Sequence, residues 1–269
     1  MSLNAQAIEL ELRALNRASG SVLESVDVEV VAETGSTNAD LIQRVKVANA
    51  NQGAVLLIAE RQTAGRGRAG RTWFSAPGGV LTFSLAWHFP TQAQALMGLP
   101  LAVGVAIAEC LQKIGVPVEL KWPNDVLKDG KKLAGILVET QTNSESGVWA
   151  IIGVGLNLRI PDELEHQIGH AVADAPWLAQ MDRNALMAAL LHSLQQVLWT
   201  FEQAGFAALA ERWNQLHAYH QQEVKIIDHD QLLHQGRALG VDERGSLLLQ
   251  VDGAVLTIHS GDVSLRALA

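Results

Sequence analysis

A chain of 269 residues, 48% of them hydrophobic and 18% charged, has the composition of an ordinary globular protein, with material for one large domain and a small one. The formal net charge of −8 argues against sequence-independent binding to nucleic acid or to an anionic membrane surface. A single cysteine, Cys110, excludes an intramolecular disulfide and a cysteine-based metal site.

The first ten residues lack the basic start and apolar core of a signal peptide, and no apolar run reaches the roughly 20 residues that cross a bilayer. The expected compartment is the cytoplasm. Residues 4–17 predict a short helix, and residues 22–32, with Val26, Val28, Val30 and Val31, a strand. Ser36, Thr37 and Asn38 then precede Leu41, Ile42 and Val45 at helical spacing. These residue types fit an N-cap alone, and equally a helix start whose hydroxyls and amides hold a polar ligand. Spacing does not separate the two.

Residues 54–59 and 80–87 are apolar runs of strand length, and an unusual segment lies between them. From residue 61 to residue 108, 48 consecutive positions hold no Asp or Glu, while Arg61, Arg66, Arg68 and Arg71 cluster in and beside Gly65-Arg66-Gly67-Arg68-Ala69-Gly70-Arg71. Glycines allow close backbone approach to a ligand, and guanidinium forks match phosphate or carboxylate oxygens. The alternatives are a solvated basic turn and an anion-binding loop; Trp73 and Phe74 favour an ordered loop between two strands. The Gly65-x-Gly67-x-x-Gly70 spacing imitates a dinucleotide fingerprint. That motif needs a helix at its third glycine and an acidic residue roughly 20 positions on, and neither is present.

Residues 96–114 are mostly apolar and of helical length, interrupted by Pro100 and Gly104, with Cys110 a buried, inert thiol. Residues 118–122 predict a strand ending in Pro123-Asn124-Asp125, and residues 128–132 a hairpin turn in which Asp129-Gly130 supplies positive φ. Residues 133–140 and 148–158 are further strands. The sum is a mixed sheet covered by helices, an α+β arrangement. Residues 161–180 lack periodicity and are expected to form a mobile loop. Asp182 caps a helix with an apolar stripe from Leu186 to Phe201, ended by Gly205. From about Glu223, short β-type runs separated by polar turns predict a small barrel or sandwich, with a domain boundary near residue 221. The nine histidines show no paired ligand spacing, and His217, His220, His229 and His234 are expected on the surface or in loops.

Four polar or glycine-rich islands thus break the apolar elements, and their order and wording closely resemble the biotin protein ligases. The matching text is Gly65-Arg-Gly-Arg-Ala-Gly-Arg-Thr-Trp73, Lys121-Trp-Pro-Asn-Asp125, Lys132-Leu-Ala-Gly-Ile-Leu-Val-Glu139 and Gly153-Val-Gly-Leu-Asn157, with Gly261-Asp-Val-Ser-Leu-Arg266 at the end. The resemblance covers about residues 30–269. It implies an α+β catalytic domain of the class II aminoacyl-tRNA synthetase type over residues 1–220 and an SH3-like β-barrel over 221–269. It also implies an ATP-dependent ligase that makes biotinyl-5′-AMP and transfers biotin to a lysine of a biotin carboxyl carrier protein, acting as a monomer or homodimer. Related lipoate ligases and a non-catalytic biotin sensor are the alternatives. Some members carry an N-terminal helix-turn-helix domain, for which about 30 leading residues are too few, so no binding to nucleic acid is expected.

The resemblance assigns roles residue by residue. Ser36, Thr37, Asn38, Gln62, Gly67, Gly135, Gly153 and Gly155 would surround biotin, with Arg66, Arg68 and Lys132 shared between its carboxylate and the α-phosphate of ATP. Arg71, Trp73, Lys121, Asn124, Asn157 and Arg266 would contact ATP or the adenylate. Mg²⁺ would ride mainly on the ATP phosphates, with Asp125 as a protein contact. Asp125 is also the candidate base for the acceptor lysine; a simple Pro-Asn-Asp turn explains Asn124 and Asp125 nearly as well. The loop over residues 62–73 is expected to be mobile without ligand and ordered with it.

Overall fold

The computed structural model describes residues 2–20, 25–47, 53–143, 147–168, 172–228, 231–261 and 263–268. The side chain of Asn4 accepts a hydrogen bond from the Ala7 amide and opens helix α1 (Ala5–Ser19), which stops at Gly20 with φ 65°. There follow β1 (Val26–Thr34), α2 (Thr37–Val45), β2 (Ala54–Gln62), β3 (Val80–Phe89) and α3 (Leu99–Lys113). A β-rich stretch comes next: β4 (Glu119–Lys121), β5 (Asp125–Lys128), β6 (Lys131–Asn143) and β7 (Gly147–Asn157). Then come α4 (Asp162–Ile168), α5 (Arg183–Ala204) and α6 (Ala210–Gln215). The chain ends in β8 (Glu223–Asp228), β9 (Gln231–Val241), β10 (Leu247–Val251), β11 (Ala254–Ile258) and β12 (Ser264–Ala267).

The first seven strands form one mixed sheet in the order β1-β2-β3-β7-β6-β5-β4, parallel between β1 and β2 and antiparallel elsewhere. Strand alternation divides its residues between two faces. Leu56, Ile58, Leu81, Phe83, Leu85, Ile152 and Val154 join the main core with apolar residues of α1, α3 and α5. On the other face Leu57, Ala86, Trp149 and Ile151 pack beneath Leu41 and Val45 of α2. Each fully buried Leu or Ile stabilises this arrangement by about 2 kcal/mol. The helix packs over β3, β7 and β6 at one end of this face, and Gly135, Gly153 and Gly155 of β6 and β7 line a cleft beside it.

The last five strands form a separate antiparallel sheet, ordered β11-β10-β9-β8-β12. It is tied to the first by the buried indole of Trp122, which donates to the Gly245 carbonyl at 3.1 Å, while the Leu120 amide of β4 holds the end of α6 by donating to the Leu216 carbonyl at 2.7 Å.

Four expectations change. The helix over 99–113 is uninterrupted, because Pro100 lies in its first turn, where no hydrogen bond is lost, and Gly104 faces Leu120 and Ile136, which a Cβ there would just touch. With the short turn before it, Ala93–Lys113 is apolar and long enough to cross a membrane by composition; 67% of it is buried in the protein, where it serves as the core helix. The segment 161–180 is not a plain loop: it holds α4, and Val172 bridges to Lys132 while the Ala173 amide donates to the Lys132 carbonyl at 2.9 Å. His217 is buried at the junction before β8, 4.8 Å from the Trp213 ring, and not on the surface. Residues 21–24, at the start of the expected first strand, and His229 lie outside the described residues. The Asp129-Gly130 turn has φ 51° and 73°, as a two-residue hairpin turn requires.

Candidate active site

Every site residue expected from the sequence lines one cleft of about 490 Å³, bounded by the open face of the large sheet, the glycine-rich loop and β12. At its polar end Ser36 caps α2, accepting from the Ala39 amide at 3.5 Å, so the first helical turn carries Thr37 and Asn38 onto the sheet. Gln62, at the end of β2, accepts from the Thr37 amide at 2.8 Å and its hydroxyl at 3.1 Å. The Asn38 side-chain nitrogen donates to Glu139 at 2.8 Å. Capping and pocket lining are therefore shared out along one turn.

The floor is made of glycine. Gly153 stands opposite both Ser84 and Leu137, and Gly155 opposite Gly135. A Cβ on Gly153 would lie 2.3 Å from Asn38 Oδ1, and one on Gly155 would lie 2.1 Å from the Trp73 ring. Their absent side chains let a helix start and an indole rest directly on the strands.

Above the floor, the loop is a tight hairpin. The Gly67 amide donates to the Arg71 carbonyl at 2.7 Å and the Trp73 amide to the Gly65 carbonyl at 2.9 Å. Ala69 and Gly70 turn the chain with φ 52° and 69°. Arg66 pairs with Glu139 at 3.1 Å. Arg68 donates to Asn124 Oδ1 at 3.2 Å and to the Gly261 carbonyl, which links the loop to both the β4–β5 turn and the second sheet. The Arg71 guanidinium donates back to the Arg68 carbonyl at 3.3 Å.

At the charged end, Asp125 is clasped by two lysines: Lys132 Nζ lies 2.6 Å from Oδ1 and Lys121 Nζ 3.5 Å from Oδ2. Burial alone would raise the Asp125 pKa, yet Lys132 and then Lys121 outweigh it and hold the carboxyl below its usual range. Burial lowers the Lys121 pKa; Asp125 opposes this, while Arg266 and Lys132 add to it. The Lys132 ammonium also sits 5.5 Å from the centroid of the Trp73 ring.

A polar notch, a glycine floor and a set of cations suit a ligand with a polar group at one end and an anionic group at the other. Residues 31–157 match the model of the biotin/lipoate A/B protein ligase family, and residues 220–266 that of the biotin protein ligase C terminal domain. The bifunctional ligase/repressor BirA of Escherichia coli is 35% identical, over 91% of this chain and 76% of its own length. The chain belongs to the biotin protein ligase family. The biotin--[acetyl-CoA-carboxylase] ligase of Mycobacterium tuberculosis is 35% identical over 88% of each chain. The solved biotin protein ligase of Aquifex aeolicus, in complex with biotin and ATP, matches with a TM-score of 0.73 and 30% identity over 90% of this chain and 99% of that one.

Both oxygens of Asp125 are held by lysines, so a contact to Mg²⁺ or a proton taken from the acceptor lysine would compete with those pairs. Asn124 and Asn157 are engaged by protein as well: Asn124 Nδ2 donates to the Ile136 carbonyl at 2.6 Å, and Asn157 Nδ2 to the Ala173 carbonyl at 3.1 Å.

Ser84, which lines the cleft, and Glu139, which bonds to the lining residues Asn38 and Arg66, went unassigned in the sequence. Ser84 is a buried hydroxyl that donates to Asn38 Oδ1 and lies 2.6 Å from the Thr37 hydroxyl. Its signal was a polar residue inside an apolar strand run. Glu139 stood inside one of the matching motifs, with no role attached.

Proposed function

We propose that this chain activates biotin with ATP, releasing pyrophosphate and forming biotinyl-5′-AMP, and transfers the biotinyl group to a lysine of a carboxylase carrier domain. The observation that carries this reading is one cleft lined both by Lys132, Arg66 and Arg68 and by the Thr37–Asn38–Gln62 notch. The ring of biotin would sit at the notch, between Asn38 over Gly153 and the Trp73 indole over Gly155, with its carboxylate directed at the cations.

In the first step a carboxylate oxygen bonds to the α-phosphorus and the bond to pyrophosphate breaks. Two anions must meet, so the protein's contribution is orientation and countercharge. Lys132, held by Asp125, and the arginines of the loop supply that charge without proton transfer. Mg²⁺ would arrive on the phosphates of ATP. In the second step the neutral amine of the carrier lysine attacks the acyl carbon, a C–N bond forms, AMP leaves with the electron pair and the surplus amine proton passes to solvent. Asp125 acts here by holding Lys132 and Lys121.

Residues 1–220 would form the catalytic unit, and 221–269 a cap that supplies Arg266 from β12. The cytoplasm is the proposed compartment, since the reaction needs ATP and a carboxylase. Incubation with an apo-carrier domain, ATP and radiolabelled biotin or lipoate tests the reading. Label from biotin should enter the carrier; label from lipoate alone would refute it.

A further inference from the structure

At the polar end of the cleft the hydrogen bonds can run in only one direction, and Glu139 and Ser84 set it. Glu139 Oε2 receives two donors, Arg66 Nη2 at 3.1 Å and Asn38 Nδ2 at 2.8 Å. A carboxylate only accepts, so the Asn38 amide turns its nitrogen to Glu139 and its oxygen to Ser84. That amide oxygen also only accepts, and the single proton of Ser84 is spent on it. With the serine proton committed, the single Thr37 proton is shared between two acceptors, Ser84 Oγ at 2.6 Å and Gln62 Oε1 at 3.1 Å. Gln62 Oε1 already takes the Thr37 amide as well. The Thr37 proton therefore points into the protein, and its lone pairs alone face a ligand.

We infer that Ser84 and Glu139 are positioning residues that fix the Thr37 hydroxyl as an acceptor, so that this end of the cleft selects a ligand N–H, the donor that a cyclic urea presents. The inference rests on the biotin reading and deepens it. Ser84 is fully buried and stands opposite Gly153, where no side chain separates it from Asn38. Because Arg66 shares the Glu139 oxygen, one carboxylate ties the first arginine of the glycine-rich loop to the group that reads the ring.

The test uses the full chain as wild type, Ser84→Ala and Glu139→Gln, with two acyl substrates: biotin, and biotin methylated on one ureido nitrogen. Loss of one directed hydrogen bond should raise the KM for biotin roughly tenfold in Ser84→Ala, with the KM for ATP and kcat within about twofold of wild type. In Glu139→Gln the carboxamide can face Asn38 either way round, so discrimination against the methylated substrate should shrink in both variants. Glu139 is partly exposed and its replacement leaves no cavity, so this variant reports even where Ser84→Ala folds poorly. An unchanged biotin KM in Ser84→Ala, or full discrimination in Glu139→Gln, would overturn the inference. A parallel fall of kcat and rise of both KM values would also overturn it, since that marks a merely structural role. A wild-type chain that cannot adenylate biotin at all would instead sink the functional reading.

Discussion

The Lys132 ammonium lies 2.6 Å from Asp125 Oδ1, while the other oxygen of the same carboxylate faces Lys121 at 3.5 Å. One buried acid thus fixes two cations that would otherwise repel each other in a confined space. Removing Lys132 takes away charge aimed at the reacting phosphoryl group but leaves the ring-binding end intact. Lys132→Ala should lower the rate of adenylate formation by roughly 10²-fold or more, with biotin affinity changed less than about tenfold. Pyrophosphate release at the wild-type rate would refute the role of Lys132.

Arg68 joins the glycine-rich loop to Asn124 on one side and to the Gly261 carbonyl on the other. Its loss should weaken the closure between loop and second sheet. Arg68→Ala is expected to release biotinyl-AMP to solvent, seen as AMP formed in the absence of carrier at a rate several-fold above wild type. A variant that retains its adenylate as wild type does would count against this.

Gly155→Ala places a methyl group where the Trp73 ring now rests, 2.1 Å from its atoms. The indole must leave, and the hairpin that it anchors opens. Trypsin should then cut at Arg66, Arg68 or Arg71 faster than in wild type, and ligation should fall. Equal cleavage rates would show that the ring is not what holds the loop.

His217 is buried against Trp213, and burial, with a smaller contribution from His220, lowers its pKa from 6.5 to about 4. A histidine with a depressed folded-state pKa binds fewer protons folded than unfolded between those values. Stability is therefore whole above pH 6.5 and is lost as pH falls toward 4, by about 3 kcal/mol for that interval. Denaturant unfolding across this range should show the slope, and His217→Phe should flatten it. An NMR titration of His217 centred near 6.5 would contradict the assignment.

Much of the fold was legible because its signals are local. The valines of β1, the Asp182 cap and apolar stripe of α5, and the Asp129-Gly130 turn each state their element within a few residues. The misjudged segments are those whose structure is decided by distant partners. Residues 161–180 have no periodicity of their own, and Val172 is ordered by pairing with Lys132. His217 sits in polar-looking sequence and is buried only because α6 and β4 meet there.

For the site, residue types and their order along the chain were enough to name the cations and glycines, since close approach and countercharge demand those side chains wherever they fall. Direction was not contained in them. That Asp125 is spent on two lysines, that Ser84 turns the Thr37 proton inward, and that Gly155 carries an indole are facts of register between β3, β7, β6 and β5, strands that lie up to about 75 residues apart in the chain. A one-residue shift in any of those pairings would move the same side chains to the opposite face, so only the assembled sheet decides which groups meet.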